Sequence, residues 1–135
     1  MRRLLALVAC ALWAQGAAAQ SLTIGYAAVV TTIDPHYHNL GPNNALGMQV
    51  FDRLVERDGQ ARPYASLAED YRAISDTLWE FRLRRGVAWH DGRPFTADDV
   101  AFTFARAPNV PNSPGGFGGF LRAIARTEVV DAHTI

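Results

Sequence analysis

The stretch TLWEFRLR, residues 77–84, does most to limit what this chain can fold into. Thr77, Trp79, Phe81 and Leu83 alternate with Glu80, Arg82 and Arg84. On an extended backbone successive side chains point to opposite faces, so one face is apolar and the other is charged. Such a strand lays one face on a core and leaves the other wet. Asp76 stands just before it, where a hairpin turn from the preceding YRAIS places it.

The next stretch, GVAWHDGRPFTADDV from Gly86 to Val100, holds a histidine, three aspartates and an arginine in fifteen residues. It has the density of an active site, yet nearly every charged residue has a structural use. Val87 and Trp89 continue a strand, Asp91-Gly92 forms a turn and Pro94 closes the segment. Thr96 is placed to cap a helix, with Asp98 and Asp99 in its first turn, where the positive end of the helix dipole favours carboxylates. Asp99 lies three residues after Thr96, a capping-box spacing with Asp in place of Glu. Val100 and Phe104 then face the core at i, i+4 and Pro108 ends the helix. His90 is left as a side chain beside the turn, and the segment is read as architecture.

Elsewhere, SLTIGYAAVV alternates Leu22, Ile24 and Tyr26 with small or polar residues, which predicts a strand ended by Asp34-Pro35. HYHNLGPN is a loop. Asn43 or Asn44 then caps a helix over NALGMQVFDRLVER, with Leu46, Val50 and Leu54 on one face, ending near Asp58-Gly59. PYASLAEDY is a short helical turn at most. APNVPNSPGGFGGFLRAI, with three prolines and four glycines, is a long loop that packs against something and then a short helix. RTEVVDAHTI is a strand with a turn at Asp131-Ala132, so the chain stops as a strand starts, which predicts a piece of something longer.

The first twenty residues have a different character. Arg2 and Arg3 precede an apolar run from Leu4 to Trp13, and Ala17, Ala18 and Ala19 follow, which is the layout of a secretory signal peptide over 1–19 cut before Gln20. The apolar run has ten residues, against the roughly 20 that a membrane span needs. LVAC resembles a lipoprotein cleavage box ending at Cys10, but that cut leaves only Leu4 to Ala9 as the apolar core, so the non-lipidated reading is preferred. Cys10 is the only cysteine, and a chain over 20–135 forms no disulfide. Removing Arg2 and Arg3 leaves 11 basic against 13 acidic residues, a net charge of −2, which points away from nucleic acid and anionic membrane surfaces.

Catalytic patterns are scarce. Ser21, Ser66, Ser75 and Ser113 lie in no Gly-x-Ser-x-Gly elbow, and GGFGGF lacks the Lys-Ser/Thr of a phosphate loop. The chain is therefore read as a non-enzyme without a cofactor. His36 and His38 lie two apart and face one side of an extended chain, where Asp34 or His90 can add a third metal ligand. The spacing matches no compact zinc motif, so no metal site is assigned.

WEFRLRRGVAWHDGRPFTADDVAFTF, together with IDPH at 33–36, VFDRLV at 50–55 and LAEDY at 67–71, resembles the extracellular solute-binding proteins of the peptide, nickel and opine type, family 5. These are the binding components of bacterial ABC importers. The resemblance runs over nearly all of 22–135 and implies an α/β fold: the N-terminal part of the first lobe of a two-lobed, type II periplasmic-binding-protein-like architecture, incomplete here. It implies a periplasmic protein that captures a peptide or similar small solute and passes it to membrane permease subunits, with no nucleic-acid partner and no membrane contact except through the permease. In such proteins the loop after the Asp-Pro dipeptide lies along the ligand, which maps to Tyr37, His38, Asn39 and Leu40. Phe117 and Phe120 are weaker candidates for an apolar cleft wall. The competing reading of 37–40 is a solvated loop, and the competing function is a receptor for nickel or a metal chelate, or a metal-dependent periplasmic protein, using His36 and His38.

Overall fold

The computed structural model describes residues 21–135. The signal peptide, its cleavage before Gln20 and the alternative at Cys10 lie outside the described residues. The elements are α1 (Gly41–Val50), β1 (Val55–Arg57), β2 (Pro63–Ala65), β3 (Ala68–Ser75), β4 (Leu78–Leu83), α2 (Ala97–Arg106), a 3-10 turn (Ala107–Asn109) and α3 (Gly118–Leu121). Among the described residues no helix is long and apolar enough to cross a membrane.

The alternation at 77–84 becomes β4, paired antiparallel with β3 about a turn at Asp76 and Thr77. Tyr71 lies opposite Phe81 and their rings stack with centroids 6.0 Å apart. On the other face Arg72 pairs with Glu80 and Arg82 with Asp70, exposed cross-strand contacts that contribute up to about 1 kcal/mol each. Burial along the apolar face is uneven. Leu83 is 1% exposed but Trp79 is 55% exposed, so only the Leu83 end of the strand meets the core. That core joins Leu83, Phe95, Ala97 and Val100, with Leu54, Leu67, Val87, Phe104 and Ile135 packed around them.

A third segment lies beside β4. Phe81 N–H donates to the Ile135 carbonyl (2.8 Å), Ile135 N–H donates back (3.1 Å), and Leu83 N–H donates to the His133 carbonyl (2.7 Å). Asp131 makes the turn that brings the chain here, its carboxylate accepting the His133 N–H and the Thr134 hydroxyl. The expected turn is therefore present, but pairing is confined to residues 133–135, and 124–130 form no strand.

Three expectations fail. Residues 21–30 form no strand: Leu22 is 84% and Ile24 59% exposed, and no segment among the described residues supplies the backbone partners that alternation alone cannot provide. The helix expected over 44–57 starts at Gly41, with Pro42 in its first turn, and stops at Val50. Beyond it Val55–Arg57 pairs with Pro63–Ala65 in a hairpin, and Leu54 reaches the core from the bend just ahead of β1 although its spacing fits a helix. Asp58 sets the hairpin loop by accepting the N–H groups of Gln60 and Arg62 and the Arg62 guanidinium. PYASLAEDY is extended rather than helical, because its backbone groups go to β1 on one side and β4 on the other.

The 86–100 segment keeps its architectural role, with one change of detail. Ala88 and Pro94 make a single antiparallel bridge about Asp91-Gly92, rather than a continuation of β4. Asp91 accepts the backbone N–H and the guanidinium of Arg93, and both hold its carboxyl below the usual range. Gly86 and Gly92 have φ of +74° and +84°, conformations that side chains disfavour, with nothing within 4 Å of an added Cβ. At the start of α2, Thr96 is the N-cap and Asp99 closes a capping box with it. The Asp99 carboxylate accepts the Thr96 N–H (2.9 Å) and the Trp89 indole N–H (3.3 Å), while the Thr96 hydroxyl lies 3.5 Å from the same oxygen. Asp99→Ala is accordingly expected to cost about 1–2 kcal/mol and Thr96→Ala about 1 kcal/mol or less. Urea midpoints of the two variants check this, and a larger loss for Thr96→Ala would show that the hydroxyl carries the cap. His90 is exposed beside the turn, as expected.

Candidate ligand-binding site

The segment after residues 21–30 turns at Asp34-Pro35. Asp34 accepts the His36 N–H on its carboxylate (3.0 Å) and the Tyr37 N–H on its carbonyl (3.3 Å), which coils residues 35–37 into a turn. The chain then runs beside residues 112–115, some 75 positions later. Tyr37 donates its hydroxyl to the Asn112 carbonyl (3.0 Å), and Ser113 donates its hydroxyl to the Tyr37 carbonyl (2.5 Å). Asn39 N–H donates to the Gly115 carbonyl (2.8 Å), part of a single parallel bridge between His38 and Gly115.

The opposite side of the loop is held by α1. Asn43, 7% exposed, accepts the Thr31 N–H on Oδ1 (2.9 Å) and donates from Nδ2 to Thr31 Oγ1 (2.9 Å) and to the His38 carbonyl (3.4 Å). It does not cap α1, whose N-cap position is Leu40. Asn44 donates to the Asn39 side chain (2.7 Å), and the His38 Nδ1 lies 3.3 Å from Thr31 Oγ1. The position of Asn43 ahead of an apolar run predicts a cap, whereas its partners lie 12 and 5 residues upstream and leave no local mark in the sequence.

A charged cluster completes the frame. Arg106, in the last turn of α2, donates from Nη1 and Nη2 to the two carboxylate oxygens of Asp34 (2.9 and 2.6 Å), and its Nη1 is 2.8 Å from His36 Nδ1. The guanidinium holds the Asp34 carboxyl down to about 2. Burial pushes the His36 imidazole below its ordinary value and the Arg106 charge adds to this, opposed by Asp34. Because arginine only donates, His36 Nδ1 accepts and the ring proton sits on Nε2.

The sign of the resulting pH dependence follows. A carboxylate depressed from 3.8 to about 2 stabilises the fold above pH 4, and that stabilisation is lost as pH falls through 2. The shift corresponds to at most about 2 kcal/mol. With both side chains about a third exposed, screening leaves about 1 kcal/mol. Asp34→Asn is expected to lose this at pH 6 and to flatten the stability profile between pH 4 and 2. An unchanged profile in urea denaturation would show that the ion pair contributes nothing.

Between α1 and α2 a groove of about 1060 Å³ opens, with Met48, Phe51, Trp89, Phe102 and Phe117 among its apolar lining and Asp34, His36 and His38 among its polar groups. His38 and Phe117 thus reach the groove. Tyr37, Asn39, Leu40 and Phe120 are not among its lining residues; Phe120 is 73% exposed with its ring 6.3 Å from that of Phe117. The geometry imagined for His36 and His38, one side of an extended chain, is not found: His36 lies in a turn with Nδ1 against Arg106. Among the described residues no three His, Cys, Asp or Glu side chains converge as a metal site requires.

Residues 62–135, more than half of the chain, match the family model described as bacterial extracellular solute-binding proteins, family 5 Middle, and the chain belongs to that family. It is 27% identical over 103 residues to the periplasmic oligopeptide-binding protein OppA of Escherichia coli, covering 76% of this chain and 19% of that one. It is 32% identical over 119 residues to the glutathione-binding protein GsiB of Salmonella choleraesuis, covering 87% and 23%. The chain therefore spans about a fifth of the length of these curated relatives. Among solved structures, the unliganded open form of the periplasmic murein tripeptide binding protein MppA aligns with a TM-score of 0.66 at 25% identity over 76% of this chain and 23% of that one. NikZ from Campylobacter jejuni, in complex with Ni(L-His), aligns with a TM-score of 0.56 at 29% identity over 63% and 17%.

Proposed function

We propose that this chain belongs to the substrate-binding component of an ABC importer, exported through the 1–19 leader to the periplasm, where it captures a peptide or similar small solute and delivers it to permease subunits. In this reading the segment 20–135 is the N-terminal part of a solute-binding lobe, and Tyr37, His38, Asn39 and Leu40 face the solute, with Phe117 and Phe120 as an apolar wall. Nothing in the reading calls for a bond-breaking step, a cofactor or a nucleic acid.

The observation that carries it is the tethering of residues 37–39 to Asn112, Ser113 and Gly115. A simple connection has no use for hydrogen bonds across 75 residues of sequence, whereas a binding surface gains affinity from being ordered before the ligand arrives. Capture of a metal chelate is the second reading, supported by the likeness to NikZ and by His38 at the groove.

The test is calorimetry on the intact gene product with di-, tri- and oligopeptides, glutathione and nickel with and without histidine. Saturable binding of a peptide or glutathione is expected. Binding of the chelate alone would favour the second reading, and a cooperatively folded protein that binds none of them would overturn both. Mass spectrometry of the periplasmic fraction is expected to find a chain starting at Gln20; a chain starting at a lipidated Cys10 would contradict the non-lipidated leader.

A further inference from the structure

We propose that Arg106 is the positioning residue of the ligand-facing loop, fixing the course of residues 36–40 through its three-way contact with Asp34 and His36. The inference rests on the solute-capture reading above. Arg106 stands on a firm post, because α2 is pinned by Asp99 at its start and by buried Ala97 and Val100 along its length. Its cation also sits in the last turn of the helix, where the dipole favours positive charge. From there the guanidinium grips both sides of Pro35, taking the Asp34 carboxylate with two bonds and the His36 ring with one. The proline ring fixes its own φ. With the residues on either side held, the direction in which the chain enters 37–40 is set.

The contact depends on the shape of arginine as well as its charge. A planar fork meets a carboxylate with two parallel bonds and still offers a third donor in its plane, whereas a lysine ammonium acts as a point charge. The charged groups facing His36 are Asp34 from its own loop and Arg106 from α2. The ties of the loop to Asn43, Ser113 and Gly115 do not involve Arg106. Loss of Arg106 is therefore expected to shift the loop without unfolding it, which separates a positioning role from a merely structural one.

The test compares Arg106→Lys and Arg106→Met with the intact wild-type protein by three measurements. Nitrogen-15 NMR of the His36 ring is expected to show the Nε2–H form with a titration midpoint below the ordinary imidazole value. In Arg106→Met the midpoint should rise, since the arginine charge is gone while the Asp34 charge remains. Amide exchange over 36–40 should quicken about tenfold in both variants, the equivalent of losing one charge-assisted hydrogen bond. Affinity for whichever peptide, glutathione or chelate the wild type captures should fall about tenfold in Arg106→Lys, with its thermal transition nearly unmoved. Wild-type ring signals, exchange rates and affinity in Arg106→Lys would overturn the proposal. If the wild type captures no solute, the capture reading fails, and unchanged ring signals and exchange in the variants would overturn the positioning role of Arg106 separately.

Discussion

Leu83→Ala is expected to lower stability by about 2–5 kcal/mol, the range for truncating a fully buried leucine. Leu83 is 1% exposed and is the largest fully buried side chain in the described structure. Of the buried residues around it, Ala68 and Ala97 are too small to move into the space it leaves. Its backbone is fixed by pairing with Ala68 and by the hydrogen bond to His133, so the strand cannot settle inward. The measurement is urea denaturation of the intact protein, with the loss appearing as a lower midpoint at unchanged slope. Trp79→Ala provides the contrast, since Trp79 is on the same face of β4 but is 55% exposed and is expected to cost less than about 1 kcal/mol. Equal losses for the two would show that the whole apolar face of β4 is covered in the intact protein.

Asn43→Leu is expected to cost about 1–3 kcal/mol, because it removes one side chain that satisfies three groups at once. Leucine fills a similar volume but orphans the Thr31 N–H, and it takes a donor from Thr31 Oγ1 and from the His38 carbonyl. Those groups flank the loop from opposite sides, so the damage is expected to reach beyond stability to faster amide exchange at residues 31 and 38–40. Asn43→Asp keeps the acceptor but loses both donors and places a charge at a 7% exposed position, so it should be no milder. Near-wild-type stability and exchange in Asn43→Leu would show that the network is incidental.

The parts of the fold that were legible in the sequence are those fixed by contacts close along the chain. The β3–β4 hairpin follows from alternation and Asp76, the turns at Asp58, Asp91 and Asp131 from their Asx geometry, and α2 from the Thr96 to Asp99 spacing. The misreadings occur where partners are distant. PYASLAEDY looked weakly helical because neither β1 nor β4 is visible from within it. Leu46, Val50 and Leu54 mimic a helical face, yet the backbone changes to extended after Val50 and delivers Leu54 to the core by another route. Residues 21–30 carry a strand pattern without a strand, since alternation describes two faces and says nothing of the partner.

The candidate site divides in the same way. Resemblance pointed to residues 37–40, but nothing local in the sequence joins Tyr37 to Asn112 or Asp34 to Arg106, positions 75 and 72 apart. Arg106 carries no local signal of its role, and Asn43 reads as an ordinary cap. Both acquire their roles only when the chain around Pro35 is brought against α1 and the end of α2.

Hydrogen exchange of the intact protein, with and without a saturating solute from the peptide, glutathione and chelate panel, tests the assignment of residues 36–40 most directly. Protection is expected over 36–40 and, through the shared hydrogen bonds, over 112–115, with the β3–β4 hairpin unchanged. Saturable binding that leaves both segments exchanging as in the free protein would contradict it.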